Sequence, residues 1–215
     1  MDSKAFRSLS YGVYLVTTRD KEGKNVGCIA NSAFQVTSTP SQILVSLNHD
    51  NDTCRAIKES GALILNVLSE KVSMDLISTF GYHSSRDIDK FKGYDVVDKD
   101  GMPFIKIGVS YFILKVRKTF ETETHTLFLA EVIDCEVLSS EKEMTYAYFH
   151  QVKKGSAPKN APTYQAASDE KKGTKKHRFR CKVCGYLYET ELDELPDDFI
   201  CPLCGAPKNK FVKVD

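Results

Sequence analysis

The sequence predicts a mainly β protein: an antiparallel barrel with a few short helices, followed by a small metal-binding domain. Short segments rich in β-branched and aromatic residues follow one another closely between polar turns. No G-x-G-x-x-G or Walker A sequence occurs, so alternating βαβ nucleotide folds are not favoured. Near the C-terminus, two C-x-x-C pairs lie in a segment too short to build a large core.

The first half of the chain supplies most of the predicted strands. A short helix is predicted over residues 3–10, and strands over residues 11–18, 26–30, 33–37, 43–47 and 62–68. Polar turns at 20–25 and 38–41 separate neighbouring strands, as expected for an antiparallel arrangement.

A polar loop over residues 48–53 leads into a predicted helix at 54–60. Asp52 or Thr53 is expected to cap this helix, and Gly61 to end it. Backbone N–H groups at such a helix start favour an anion. Most capped helices bind nothing, so on the residues alone a purely structural role is favoured.

The second half of the large domain is predicted to contain a helix over 69–80, a polar loop over 82–91, and strands over 111–116 and 126–138. In the last strand, the odd-numbered side chains are mostly apolar and are expected to face the core. Glu131 falls on that face, which predicts an acid at the mouth of the barrel or, less favoured, in a site.

Composition changes after residues 146–149 to a lysine-rich, proline-containing stretch that is typical of a linker. We therefore predict a large domain over 1–164, a flexible linker over 165–176 and a small domain over 177–215. The net charge of +1 gives no electrostatic case for a nucleic-acid partner. No apolar run approaches membrane-spanning length and no signal-peptide core is evident, so we expect no membrane partner and a cytoplasmic location. Cys28, Cys54 and Cys135 are expected to pack as small hydrophobic side chains.

The most specific motif is the pair of C-x-x-C knuckles formed by Cys181 with Cys184 and by Cys201 with Cys204. Four thiolates from two facing knuckles form a closed tetrahedral site that suits zinc or iron. A glycine follows each knuckle and lets backbone N–H groups approach the sulfurs, which favours a redox iron. The acidic segment between the knuckles disfavours nucleic acid. The expected aromatic core of this domain comprises Phe179, Tyr186, Tyr188, Phe199 and Phe211.

The sequences CKVCGYLYE (181–189) and LPDDFICPLCGAPK (195–208) resemble the rubredoxin family. The resemblance implies one iron ion held by the four cysteines and cycling between its ferric and ferrous states.

The larger part of the chain resembles the flavin reductase-like family. The resemblance rests on YGVYLVTT (11–18), GCIANS (27–32), TSTP (37–40), VSLN (45–48), GYHSSRDIDKF (81–91) and THTLFLAEV (124–132). It implies an FMN-binding split β-barrel that forms a homodimer. FMN is then expected along two strands, with its phosphate at the capped helix; the implied residues are Ala30, Asn31, Ser32, Ser46, Leu47, Asn48, Asn51, Asp52 and Thr53. Arg86 and Lys90 would supply positive charge for the phosphate or for NAD(P)H, and His125 would lie near the flavin.

The whole architecture resembles the high-molecular-weight rubredoxin family. That resemblance implies electron flow from NAD(P)H through FMN to the attached iron, and on to a partner such as a flavodiiron NO/O₂ reductase. Two alternatives remain open: a flavin reductase that releases reduced FMN, and a non-enzymatic zinc-ribbon adaptor on a flavin-binding barrel.

Overall fold

The computed structural model describes residues 3–155, 158, 161–163, 177–190 and 192–214. Its β-strands are β1 (Tyr14–Arg19), β2 (Asn25–Ala30), β3 (Ala33–Ser38), β4 (Ser41–Asn48), β5 (Ala62–Val67), β6 (Val96–Lys99), β7 (Met102–Ile105), β8 (Ser110–Glu121), β9 (His125–Val137), β10 (His177–Cys181), β11 (Leu187–Thr190) and β12 (Phe211–Lys213). Its α-helices are α1 (Asp52–Ser60), α2 (Met74–Tyr82) and α3 (Tyr146–Gln151), and a 3₁₀ turn covers Ser3–Ser8. The mainly β prediction is confirmed, and the predicted linker at 165–176 lies outside the described residues.

Seven strands form one antiparallel sheet in the order β2-β1-β5-β8-β9-β4-β3. Cys28 on β2, near one edge of this order, packs in the same buried cluster as Val45 on β4, near the other edge. Leu65 and Phe128 from the middle strands complete that cluster, and Ile57 of α1 packs into it. Because side chains from both ends of the sheet share one core, the sheet curls into an open barrel.

The helices α2 and α3 pack together on the outside of the barrel. Leu76, Phe80 and Phe149 are buried there with Leu15 of β1. Helix α2 starts later than predicted, at Met74, because the Ser73 side chain accepts a hydrogen bond from the Leu76 N–H and caps it. This second cluster fixes the two helix ends that border the cleft described below.

The β8–β9 ribbon differs from the sequence prediction. In the first half of β9 the even-numbered side chains Thr126, Phe128 and Ala130 are buried, so the predicted inward face was wrong. Beyond Glu131, β9 pairs with β8 and no longer with β4, which leaves Ile133 and Cys135 exposed. Cys135 is thus not a core residue, whereas the other two single cysteines of the barrel are buried. Glu131 lies toward solvent, where it accepts a hydrogen bond from Arg117.

The β6–β7 hairpin is short and partly polar, and it was not predicted from the sequence. It packs Phe104 against Tyr111 of β8, with ring centroids 4.8 Å apart. Tertiary contact rather than local propensity therefore stabilises this hairpin.

The small domain is a three-stranded antiparallel sheet in the order β11-β10-β12. The Phe199 ring packs against Tyr188 and Phe211, with centroid distances of 4.7 and 5.2 Å, and Phe179 is buried. These contacts confirm four members of the predicted aromatic core, whereas the fifth, Tyr186, packs against the cysteine cluster. Among the described residues, no helix is long and apolar enough to cross a bilayer.

Candidate functional site

A cleft of about 710 Å³, counting the space at its open mouth, lies where the barrel meets α2 and α3. Its lining residues are Val13, Ile29, Ala30, Asn31, Ser46, Leu47, Asn48, Asn51, Ile77, Gly81, Tyr82, His125, Tyr146, Phe149, Pro158, Ala161 and Pro162. The lining combines apolar walls with a few polar side chains, which is the usual composition of a pocket for a small molecule.

The polar end of the cleft is the turn between β4 and α1. The Asn48 side chain accepts a hydrogen bond from the Asp50 N–H, and the Asn51 side chain accepts one from the Thr53 N–H. Asn51 is therefore the helix cap, so the prediction of Asp52 or Thr53 was wrong by one or two residues. The helix ends at Gly61, as predicted, in a left-handed conformation with φ of 69°.

Positive charge lies beside this helix start. Asp52 is buried and forms ion pairs with Arg55 at 2.9 Å and with Arg86 at 3.3 Å. Burial alone would raise the pKa of Asp52, but the two guanidinium groups hold it below its usual range. Arg86 belongs to the loop after α2, and its side chain remains exposed, so it is available to an anion at the helix start.

Lys90 is placed differently from Arg86. Its side chain is buried, and its ammonium group donates hydrogen bonds to the Gly27 carbonyl at 2.9 Å and the Phe80 carbonyl at 3.1 Å. Burial lowers the pKa of Lys90 to about 8. Lys90 joins its loop to β2 and α2 and is not a lining residue of the cleft, so its direct contact with phosphate or NAD(P)H stays a prediction.

His125 begins β9 and pairs with Asn48 across the sheet. Its Nδ1 lies 2.7 Å from the Thr124 hydroxyl, while its Nε2 is buried without a hydrogen-bond partner among the described residues. Burial, followed by the nearby His49, holds the pKa of His125 below its usual range. A buried ring nitrogen without a partner is costly, so this position fits a bound group that offers a polar atom.

The chain that follows α3 closes one side of the cleft. Asn31 donates from its amide nitrogen to the Thr163 hydroxyl at 2.7 Å, and its amide oxygen accepts from Ser32. Burial raises the pKa of Tyr146, while the neighbouring Thr163 and Asn31 side chains oppose that rise. Residues 146–149 were expected only to end the large domain, and the structure adds two of them, Tyr146 and Phe149, to the wall of the cleft.

The predicted flavin residues fall into two groups. The cleft brings together Ala30, Asn31, Ser46, Leu47, Asn48, Asn51 and His125. The predicted residues that are not lining residues are Ser32, Asp52, Thr53, Arg86 and Lys90. Sequence reasoning missed the apolar walls, including Val13, Ile77 and Phe149, because they come from elements far apart in the chain.

The second site is the cluster of the four knuckle cysteines. All four are buried, and their sulfur atoms lie within 4.8 Å of one another. The Cys181–Cys204 and Cys184–Cys201 sulfur distances are both 3.7 Å. A tetrahedron with metal–sulfur bonds of about 2.3 Å has edges of about 3.8 Å, whereas a disulfide is about 2.0 Å long. The four thiols therefore fit a single metal ion.

Backbone groups surround these sulfurs. Gly185 and Gly205 adopt φ of 78° and 69°, and each N–H bonds to the carbonyl of the first cysteine of its knuckle at 2.9 Å. Burial raises the pKa values of Cys184 and Cys204, although the Tyr186 and Ala206 N–H groups oppose this rise. Buried thiols with N–H donors suit thiolates that a cation neutralises.

One residue touches both sites. Tyr82, the last residue of α2, lines the cleft and also packs against the buried cluster formed by the four cysteines and Ala206. The cleft and the cysteine cluster are therefore neighbours in the structure.

Comparisons with known proteins give two family matches. Residues 6–156 match the flavin reductase like domain family, and residues 179–212 match the rubrerythrin, rubredoxin-like domain family. The chain is 35% identical to the high molecular weight rubredoxin of Moorella thermoacetica, over 100% of both chains. It is 43% identical to an NAD(P)H ferric-chelate reductase of Archaeoglobus fulgidus, an alignment that covers 76% of this chain and 98% of the relative.

Among solved structures, the NADH:FAD oxidoreductase SgcE6 of Streptomyces globisporus superposes with a TM-score of 0.60 at 24% identity. The superposition covers 66% of this chain and 84% of that chain. It confirms the fold of the barrel.

Proposed function

The chain belongs to the flavin reductase-like family and carries a rubredoxin-like domain in the same polypeptide, and from this premise we propose that it passes electrons from NAD(P)H through FMN to its own iron. The observation that carries the proposal is the contact of Tyr82 with both the cleft and the cysteine cluster. This contact supports the proposal because it makes the proposed electron donor site and the proposed acceptor site neighbours.

The cleft offers groups for each part of FMN. We assign the phosphate to the start of α1, near Asn51 and the exposed Arg86. We assign the ring system to the strands that carry Asn31 and Ser46, with the His125 Nε2 available to a polar ring atom. When bound, FMN accepts a hydride from NAD(P)H and gives up electrons one at a time.

The protein's own part in this chemistry is to hold the flavin and the iron, to orient them, and to shield them from water. Val13, Ile77 and Phe149 supply apolar walls that exclude water from the cleft. The knuckle cysteines hold the iron, and their buried position keeps solvent from the sulfurs. With domains at 1–164 and 177–215 joined by the linker at 165–176, the tether keeps acceptor and donor at high effective concentration.

An anaerobic absorption experiment tests this function. Iron-loaded protein with FMN is mixed with NADH, and in parallel with NADPH, while the flavin and ferric–thiolate bands are followed. We expect the flavin band to bleach first and the ferric band afterwards. An iron that stays oxidised beside fully reduced FMN would contradict the proposal, and FMN that leaves the chain during turnover would favour a flavin reductase instead.

We infer that the final acceptor is another redox protein, a flavodiiron NO/O₂ reductase. Val183 lies inside the first knuckle, and Ile200 directly precedes Cys201. Both apolar side chains are exposed to solvent. An exposed apolar rim beside a buried metal site suits a transient protein contact. Ile200→Lys should slow reoxidation of the reduced iron by a flavodiiron protein and leave reduction by NAD(P)H unchanged.

We also propose that the barrel forms a homodimer. The edge strand β3 exposes Phe34 and Val36, and Phe120 is exposed on β8. Exposed apolar side chains on an unpaired edge normally become an interface. Light scattering should give a dimer mass, and Phe34→Lys should shift the protein toward the monomer.

A second candidate activity is direct reduction of ferric chelates by the barrel. The 43% identity to the Archaeoglobus ferric-chelate reductase favours it. A Cys201→Ser variant that retains full NAD(P)H-dependent chelate reduction would support this activity, because direct reduction by the barrel does not require the cysteine site.

A further inference from the structure

Tyr82 occupies an unusual place, at the C-terminal end of α2. Its half-buried side chain lines the cleft and packs against the cysteine cluster. The other partly buried residues packed on that cluster, Tyr186, Leu203 and Phe211, all belong to the small domain. Among the described residues, Tyr82 is thus the hydrophobic contact that the barrel makes with this cluster.

The end of α2 is held firmly, so Tyr82 is a fixed platform. Leu76, Ile77 and Phe80 are buried in the core beneath the helix. The buried Lys90 ammonium bonds to the Phe80 carbonyl, two residues before Tyr82. A ring mounted on a rigid element can hold a neighbouring group in a defined position better than a ring on a loop can.

We propose that Tyr82 is a positioning residue that seats the cysteine cluster at the opening of the cleft, so that electrons cross from flavin to iron beside its ring. This inference rests on the proposed function and adds the residue that sets the geometry. In a full turnover, reduced FMN loses two electrons and releases its bound protons to water. Each electron converts one ferric ion to ferrous, and the acceptor protein reoxidises the single iron between the two transfers.

The seating can be measured without turnover. Full-length chain is loaded with FMN and with either iron or zinc, and the flavin fluorescence lifetime is recorded. A nearby ferric–thiolate centre shortens the lifetime, whereas zinc does not, so the iron–zinc difference reports proximity and cancels any quenching by the tyrosine itself. Tyr82→Ala should reduce this difference severalfold, while Tyr82→Phe, which keeps the ring, should preserve it.

The transfer rate gives a second readout. With flavin reduced at the start, the ferric band should decay about tenfold more slowly in Tyr82→Ala, because small misplacements of reacting groups have large effects on rate. His83→Ala is the matched control, since it changes an exposed side chain at the next position. Bound FMN per chain is measured in every variant, and Tyr82→Leu replaces Tyr82→Ala if the smaller side chain releases FMN.

The outcomes separate the two proposals. An unchanged lifetime difference and an unchanged transfer rate in a flavin-loaded Tyr82→Ala or Tyr82→Leu protein would overturn the role of Tyr82. If the wild-type iron is never reduced although its flavin is, the electron relay itself fails, while the lifetime difference still tests the seating.

Discussion

The barrel and the cysteine domain differ in what stabilises their folded state. The barrel buries large side chains such as Leu15, Leu65 and Phe128 with 2% exposure or less. The buried cluster of the small domain consists of four cysteines and Ala206. Burial of apolar area contributes roughly 25 cal/mol per Å², so the barrel can rely on its core. A domain of fewer than about 40 residues usually needs a metal or a cross-link in addition.

Because of this difference, the two regions are sensitive to different substitutions. In the barrel, stability is spread over many packed side chains, whereas in the small domain it depends on four ligands to one ion. The proposed electron transfer depends on both regions, and Tyr82 contacts the cleft of one and the cysteine cluster of the other.

Removal of one metal ligand should have the largest effect. Cys201→Ser should unfold the small domain, because structural metal sites contribute on the order of 10 kcal/mol to such domains. The barrel should keep its thermal transition in calorimetry, and proteolytic cuts should be confined to residues 177–215. Cys135→Ser is the control, since that thiol is exposed on β9 and outside the metal site. Loss of both domains together would show that the two regions are not independent.

A core truncation in the barrel should have the converse effect. Phe128 is fully buried, so Phe128→Ala should lower the free energy of unfolding of the barrel by about 3–5 kcal/mol. On heating, the ferric–thiolate spectrum of the small domain should be lost at the same temperature in Phe128→Ala as in the wild type. A parallel loss of that spectrum would mean that the metal site depends on the barrel core.

The buried Lys90 predicts a pH dependence of barrel stability. Its folded-state pKa of about 8 lies below its ordinary value of 10.5, because burial disfavours the charged form. Between these values the unfolded chain binds more protons, so stability rises with pH; below about pH 8 both states are protonated and the full cost is present. Relative to Lys90→Met, the wild type should gain up to about 3 kcal/mol from pH 8 to pH 10.5 in urea titrations. If the free energies of unfolding of the wild type and Lys90→Met changed in parallel with pH, the prediction for Lys90 would be wrong.

The smallest effect is expected at the helix cap beside the cleft. Asn51→Ala should destabilise the barrel by about 1 kcal/mol, because the Thr53 N–H loses its side-chain acceptor. FMN affinity, measured by fluorescence titration, should fall as well if the phosphate binds at this helix start. Asn51→Asp keeps the cap and should restore stability, while its added charge should still weaken FMN binding.

Part of the structure could be predicted because its signals are local. The two C-x-x-C knuckles specify a four-thiolate site by spacing alone, and the 3.7 Å sulfur distances agree with it. Gly61 ends α1 as predicted because a left-handed helix end favours glycine. The β-branched segments specify strands because their side chains suit a pleated surface.

Other features depended on contacts that no local pattern encodes. The buried face of β9 could not be predicted from alternation, because the apolar odd-numbered side chains extend past the point where β4 ends its pairing. The cap moved to Asn51 because Asp52 is drawn into ion pairs with Arg55 and Arg86.

By itself the sequence determined the mainly β class, the cysteine site and the family resemblance, since these depend on residue spacing and local preference. Only the tertiary structure decided which side chains line the cleft, that Lys90 is buried, and that the chain after α3 closes the cleft. It alone placed Tyr82 against the four cysteines. These contacts join residues far apart in the chain, and packing fixes them only when the whole sheet has curled and the helices have docked.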